Sequence, residues 1–267
     1  MKIGDIDDPF FRGKALLLVE DPLTRVTLTR CWSQDVRARK ITVRAVGGHD
    51  SVKALVQAAR EEGRGHVFGL VDRDFAAPSS NDDPVQRTAR HEIENHLLDF
   101  DALAAVSALS AVELEAKAHE RASALHAWMA LRLTMLYVQQ RSSKLPPTPT
   151  PAAVSSLEAA SAWLRAAPIS RGFAKDAQEF TPAYLNDDLL GHHYRTCRDD
   201  LASNGWVDHF SGKEILRHLR GTFELWRLPL KTDEDLARAV VERWLEAKTV
   251  PGFIEGLRDR ILTVCGL

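Results

Sequence analysis

Three short apolar runs place the tightest limit on how this chain can fold: "KALLLVE" (residues 14–20), "KITVRAV" (residues 40–46) and "HVFGLVD" (residues 66–72). Each has the length and the Leu, Val and Ile content of a strand buried on both faces. The segments between them are helical in pattern. After Pro22, "LTRVTLTRCWSQD" spaces its apolar residues by helical turns, and Pro suits a first turn. Gly47 and Gly48 supply a turn, and "HDSVKALVQAAREEG" predicts a helix with Asp50 or Ser51 as its N-cap and Gly63 at its end. Strand, helix, strand, helix, strand predicts an α/β fold: a parallel sheet with right-handed crossovers and helices on its faces.

In sheets of this kind functional groups gather beyond the carboxyl ends of the strands. Glu20 closes the first run and Asp72 the third, so both should emerge at one rim. Asp74 stays on the side of Asp72 if the strand continues through it. "HEIENHLLD" then adds Glu92 and Glu94. Crowded carboxylates raise one another's pKa unless a cation offsets the charge. Mg²⁺ or Mn²⁺ accepts oxygen ligands and keeps water positions open for substrate phosphates. Asp72 and Asp74 are the natural ligands, Glu20 a further ligand or a general acid/base, and Glu94 with Glu92 a support for a second ion. Taken singly, each feature also has an ordinary reading. A D-x-D after a strand suits a solvated turn, and "HEIEN" suits the polar face of a helix packed through Ile93, Leu97 and Leu98. Together they favour a metal site.

Beyond Asp99 the pattern becomes helical. "SAVE" (residues 110–113) is a capping box that opens a long helix to about Gln140. "SSKLPPTPTP" (residues 142–151) cannot continue it and reads as a connector. Further helices are expected over residues 152–166, 185–202, 211–219 (with a second capping box, "SGKE"), 233–247 and 253–264. The implied organisation is an α/β domain over residues 1–108 and a mostly helical region over 109–267.

A formal net charge of -2 excludes a global basic field, although residues 25–44 are locally basic. Three widely separated cysteines do not make a disulfide framework. The acidic N-terminus lacks a signal-peptide core, and no apolar run approaches the roughly 20 residues of a membrane span. A cytoplasmic location and no membrane partner are expected.

"LLLVE" followed by "GLVDRDF" resembles the TOPRIM pattern of topoisomerases, primases and OLD-family nucleases. The longer string, with "HEIENHLLD", is similar to a bacterial TOPRIM-like family that includes the nuclease effector of the PARIS anti-phage system. The resemblance covers roughly residues 14–101, and "FSGKEIL" (residues 210–216) matches a G-K-[DE] element found towards that family's C-terminal end. It implies a TOPRIM-like fold and a Mg²⁺- or Mn²⁺-dependent nuclease acting in anti-phage defence. Glu20 would be the general acid/base or a ligand, Asp72 and Asp74 metal ligands, Glu94 an accessory ligand, and Lys213 a phosphate contact or transition-state cation. Arg25, Arg73 and Arg90 are candidate phosphate contacts near the rim. The expected partners are a nucleic-acid substrate, an ABC-type ATPase and a second copy of the chain. The pattern departs from V-E-G-x-x-D: Asp21 replaces the Gly and Thr24 the second acid. A second ion then depends on Asp21 or on the Glu92/Glu94 pair.

Two other readings use the same residues. "LLLVED" also resembles the opening of a response-regulator receiver, with Asp72 as phospho-acceptor, but the polar "DRDFAAPSSNDD" and the helical pattern after Asp101 do not fit one. A non-catalytic partner-binding protein would use a degenerate rim and anchors such as Trp128, Trp163, Trp206, Trp226 and Trp244.

Overall fold

The computed structural model describes residues 14–80, 82–139, 148–166, 184–222, 226 and 230–267. The chain forms two compact units, one of residues up to Glu115 together with Gly212–Leu267, the other of Ala116–Ser211. A single cut at 108/109 therefore does not follow the packing: the last 56 residues (212 to 267) belong with the α/β unit.

In that unit the three apolar runs become strands β1 (Ala15–Val19), β2 (Ile41–Ala45) and β3 (Val67–Val71). Every residue of β1 and β3 is buried, as continuous apolar runs require. A short β4 (Val85–Arg87) lies in what reads as a polar loop. The sheet order is β2-β1-β3-β4, and every neighbouring pair is parallel. All four carboxyl ends therefore share one edge.

Helices α1 (Pro22–Cys31) and α2 (Ser33–Arg37) follow β1, and α3 (His49–Glu61) follows β2. The N-cap of α3 is Gly48 and not Asp50 or Ser51, because Gly47 and Gly48 turn the chain at φ 85 and 79 and the helix begins at once. Its apolar face buries Val52, Val56 and Ala59 against Leu16, Leu18, Val67 and Val71 of the sheet. Burying Val52 and Val56 contributes about 1.5–3 kcal/mol each.

After β4 come α4 (Ile93–Leu97) and α5 (Phe100–Val106). The long α6 (Ala111–Gln139) starts at the expected capping box, in which Ser110 Oγ accepts from Glu113 N and Glu113 Oε2 accepts from Ser110 N. The C-terminal helices of this unit, numbered after those of the other, are α10 (Gly212–Gly221), α11 (Asp233–Ala247) and α12 (Gly252–Cys265). Helix α11 opens on a Thr232/Asp235 capping box and packs on α1 and α5. Its wholly buried Trp244 donates from Nε1 to Asp99 Oδ2 at 2.8 Å.

The second unit is helical. The body of α6 runs with α7 (Leu157–Ala166), a π-helical turn (Tyr184–Leu190), α8 (Gly191–Ala202) and α9 (Trp206–His209). Helix α7 starts at Leu157 instead of 152, since Pro151–Ala153 forms a 3-10 turn first. Histidines bind α6 to α8: His126 stacks on Tyr194 at 3.8 Å, and Thr134 Oγ1 lies 3.1 Å from His193 Nδ1. Residues 142–147 of the expected connector lie outside the described residues. Pro149 accepts a 2.8 Å bond from Trp128 Nε1. Trp128, Trp206 and Trp244 are buried, so they serve the interior rather than an interface. Among the described residues no helix is long and apolar enough to cross a membrane.

Candidate metal centre

The rim is assembled from four segments of the first unit, each brought there by an identifiable bond. Glu20 is the first residue after β1. Its Oε1 accepts the Asp72 N–H at 2.8 Å, tying the end of β1 to the end of β3. Its carbonyl accepts the N–H groups of Gly47 and Gly48 at 3.0 and 3.2 Å, which ties in the turn after β2. Asp72 in turn accepts the Ile93 N–H on Oδ1 at 3.2 Å, drawing the start of α4 to the rim.

Asp21 caps α1 by accepting the Thr24 N–H at 2.8 Å. Its φ of -137 and ψ of 167 are extended backbone, so the turn that carries Gly in the TOPRIM pattern needs no glycine here. Thr24 is buried beneath it.

Asp74 does not continue the strand. The strand ends at Val71 and Asp74 adopts φ 48, a left-handed conformation that Asp tolerates better than most residues. Alternation therefore does not decide where its side chain lies; His91 does. The Asp74 N–H donates to the His91 carbonyl at 2.8 Å, and His91 Nδ1 donates to the Asp74 carbonyl at 2.7 Å. The His91 side chain is fully buried, and its Nε2 lies 3.7 Å from Asp74 Oδ1 and 3.8 Å from Glu92 Oε1. Asp74, His91 and Glu92 each offer an atom within 4.8 Å of the other two.

Glu92 precedes α4 and Glu94 lies in its first turn, and both are buried, at 7% and 4% exposure. Glu92 is the N-cap, and its N–H donates to Asn95 Oδ1 at 2.9 Å. Glu92 Oε2 accepts the backbone N–H of Lys213 at 2.9 Å, across 121 residues of sequence. Gly212 makes this approach possible: a Cβ there would lie 2.5 Å from Asn95 N and 2.6 Å from its Oδ1. The G-K-E element thus acts at the rim through glycine's small size and an amide. The Lys213 side chain is exposed.

The electrostatics follow from this crowding. Burial raises the Glu20 carboxyl, with Asp74, Asp21 and Asp50 adding to the rise against the Asp72 amide bond. Asp72 stands well above the usual carboxylate range, through burial first and then Glu94, Glu92, Glu20 and Asp21. Burial, with Glu92 and Asp21, pushes Glu94 up to about 8, while Lys213 pulls it down. A buried carboxylic acid that keeps its proton at neutral pH, as Glu94 does, fits a site that exchanges protons for a divalent cation.

Of the basic residues, Arg25 is exposed on α1. Arg73 Nη1 donates to Ala89 O at 2.6 Å and Arg90 Nη1 to Asn95 O at 2.7 Å, so both guanidinium groups brace the loop that carries His91 and Glu92. Sequence reasoning missed His91, Asn95 and Gly212. A histidine directly before an acidic pair, with D-x-D upstream, was the available signal for the first. Comparison with protein-family models and with curated proteins finds no match for this chain.

Proposed function

We propose that this chain is a Mg²⁺- or Mn²⁺-dependent hydrolase of phosphodiester bonds in nucleic acid, with a TOPRIM-like α/β unit. The observation that carries this reading is the meeting of Glu20, Asp72, Asp74, Glu92 and Glu94 at one edge of a parallel sheet, with burial and mutual repulsion raising Glu20, Asp72 and Glu94. A bound divalent ion supplies charge neutralisation and polarisation at a phosphodiester. Asp72, Asp74, Glu92 and Glu94 are the residues that would hold it. Glu20 sits where its raised carboxyl can take or give a proton, and its bond to Asp72 N fixes its direction. Exposed Arg25 and Lys213 supply positive charge for substrate phosphates. The TOPRIM and PARIS-type resemblance adds the setting: an anti-phage effector held in check by an ABC-type ATPase.

The test is cleavage of single- and double-stranded DNA, RNA and tRNA with Mg²⁺, with Mn²⁺ and with EDTA, in the presence and absence of such a partner. Metal-dependent cleavage lost in Glu20→Ala and Asp72→Ala is the expected result. Cleavage that survives both substitutions, or that ignores EDTA, overturns the reading.

A further inference from the structure

Among the carboxylates of the acidic rim lies a buried imidazole, that of His91. His91 Nδ1 lies 2.7 Å from the Asp74 carbonyl oxygen, which can only accept, so this nitrogen carries a proton. In a neutral ring the lone pair is then on Nε2, the atom that faces Asp74 Oδ1 at 3.7 Å and Glu92 Oε1 at 3.8 Å. A histidine whose distal nitrogen is fixed by a backbone carbonyl is the usual arrangement of a metal-bound imidazole, because the carbonyl sets both tautomer and ring direction. Here the carbonyl belongs to one of the two carboxylate residues, so the ring and Asp74 hold each other in place.

The separations suit a common ion. Ligand atoms at about 2.1 Å from a metal lie about 3.0 Å apart when adjacent and about 4.2 Å apart when opposed. The observed 3.7 and 3.8 Å fall between these limits. Burial matters as well: the His91 side chain is fully enclosed, tilted against Phe75 with ring centroids 4.6 Å apart, and cannot swing out to solvent. Were Nε2 protonated, the ring would be an imidazolium between two carboxylates, and an arriving dication would replace that proton in the same place.

Resting on the metal-dependent reading above, we infer that Asp74, His91 and Glu92 form a mixed nitrogen–oxygen site that selects a first-row transition dication such as Mn²⁺ over Mg²⁺. The reason is donor chemistry. Mg²⁺ binds hard oxygen and strips water reluctantly, whereas first-row transition dications, Mn²⁺ included, accept an imidazole nitrogen more readily. An all-carboxylate rim lacks this nitrogen contribution.

The experiment is pulsed electron paramagnetic resonance on Mn²⁺-loaded full-length protein, with binding measured in parallel by calorimetry. Wild type should show modulation from a directly bound ¹⁴N, replaced by the ¹⁵N pattern when histidine is ¹⁵N-labelled. His91→Asn keeps an N–H donor for the Asp74 carbonyl and removes Nε2. It should lose the nitrogen signal and bind Mn²⁺ at least about tenfold more weakly, with Mg²⁺ affinity little changed. Mn²⁺ bound with oxygen coupling alone in wild type overturns this inference and leaves the hydrolase reading intact. A nitrogen signal that persists in folded His91→Asn overturns it too. Failure to bind any Mn²⁺ removes both. Should His91→Asn not fold, the wild-type spectra with and without labelled histidine still decide whether nitrogen is bound, and His91→Gln, which puts an oxygen at the position of Nε2, repeats the comparison.

Discussion

Replacing Glu94 by Gln should make the metal-free protein more stable at neutral pH, and the size of the gain follows from where the carboxyl sits. Glu94 is 4% exposed and pushed up to about 8, against 4.5 in an unstructured chain. Between those values the folded state keeps a proton that the unfolded chain has released. Wild-type stability is therefore greatest below the lower value, falls as pH rises towards the upper one, and levels off beyond it. From pH 5 to 7 the loss assigned to this one group is roughly 2–3 kcal/mol, at about 1.4 kcal/mol per pKa unit. For a unit of this size that corresponds to a melting shift of about 5–10 °C. Gln cannot ionise, so Glu94→Gln removes this slope. Calorimetric melting in EDTA at pH 5, 6, 7 and 8 reads it directly: the difference between variant and wild type should grow with pH. Parallel curves would refute the reasoning, since they mean Glu94 titrates alike in both states.

Metal binding should release protons, because the ion competes with those on Glu94 and Asp72; Mn²⁺ affinity should therefore rise with pH up to about 8, by at most about tenfold per unit for each proton displaced, as titration in buffers of different ionisation enthalpy will show. Gly212→Ala should destabilise the first unit by about 1–3 kcal/mol, measured as a lower midpoint in thermal unfolding. Trp244→Phe removes the Nε1 donor to Asp99 from a buried position and should cost about 1–3 kcal/mol, measurable by chemical denaturation.

The elements that can be read from the sequence are those whose burial is written locally. β1 and β3 are apolar throughout because both faces are covered, and α11 spans the residues 233–247 that its helical pattern indicates. β4 could not be read this way: three half-buried residues, "VQR", carry no periodicity, and they become a strand by pairing with β3. The same divide runs through the site. Glu20 and Asp72 meet because both end neighbouring parallel strands, which topology alone requires. Asp74 was expected on the side of Asp72 by alternation, but its position comes from a left-handed turn and a pair of bonds to His91 that no local pattern encodes. The approach of Lys213 to Glu92 is further still from any local signal, since it depends on a glycine fitting against Asn95.

The claim beneath the rest is that these acids jointly hold one or more divalent cations at the sheet edge. Anomalous diffraction from crystals soaked in Mn²⁺ tests it with no appeal to activity. A peak is expected about 2.0–2.3 Å from oxygens of at least two of Asp72, Asp74, Glu92 and Glu94. A rim without a peak at saturating Mn²⁺, or manganese bound only at other acids of the chain, would contradict it.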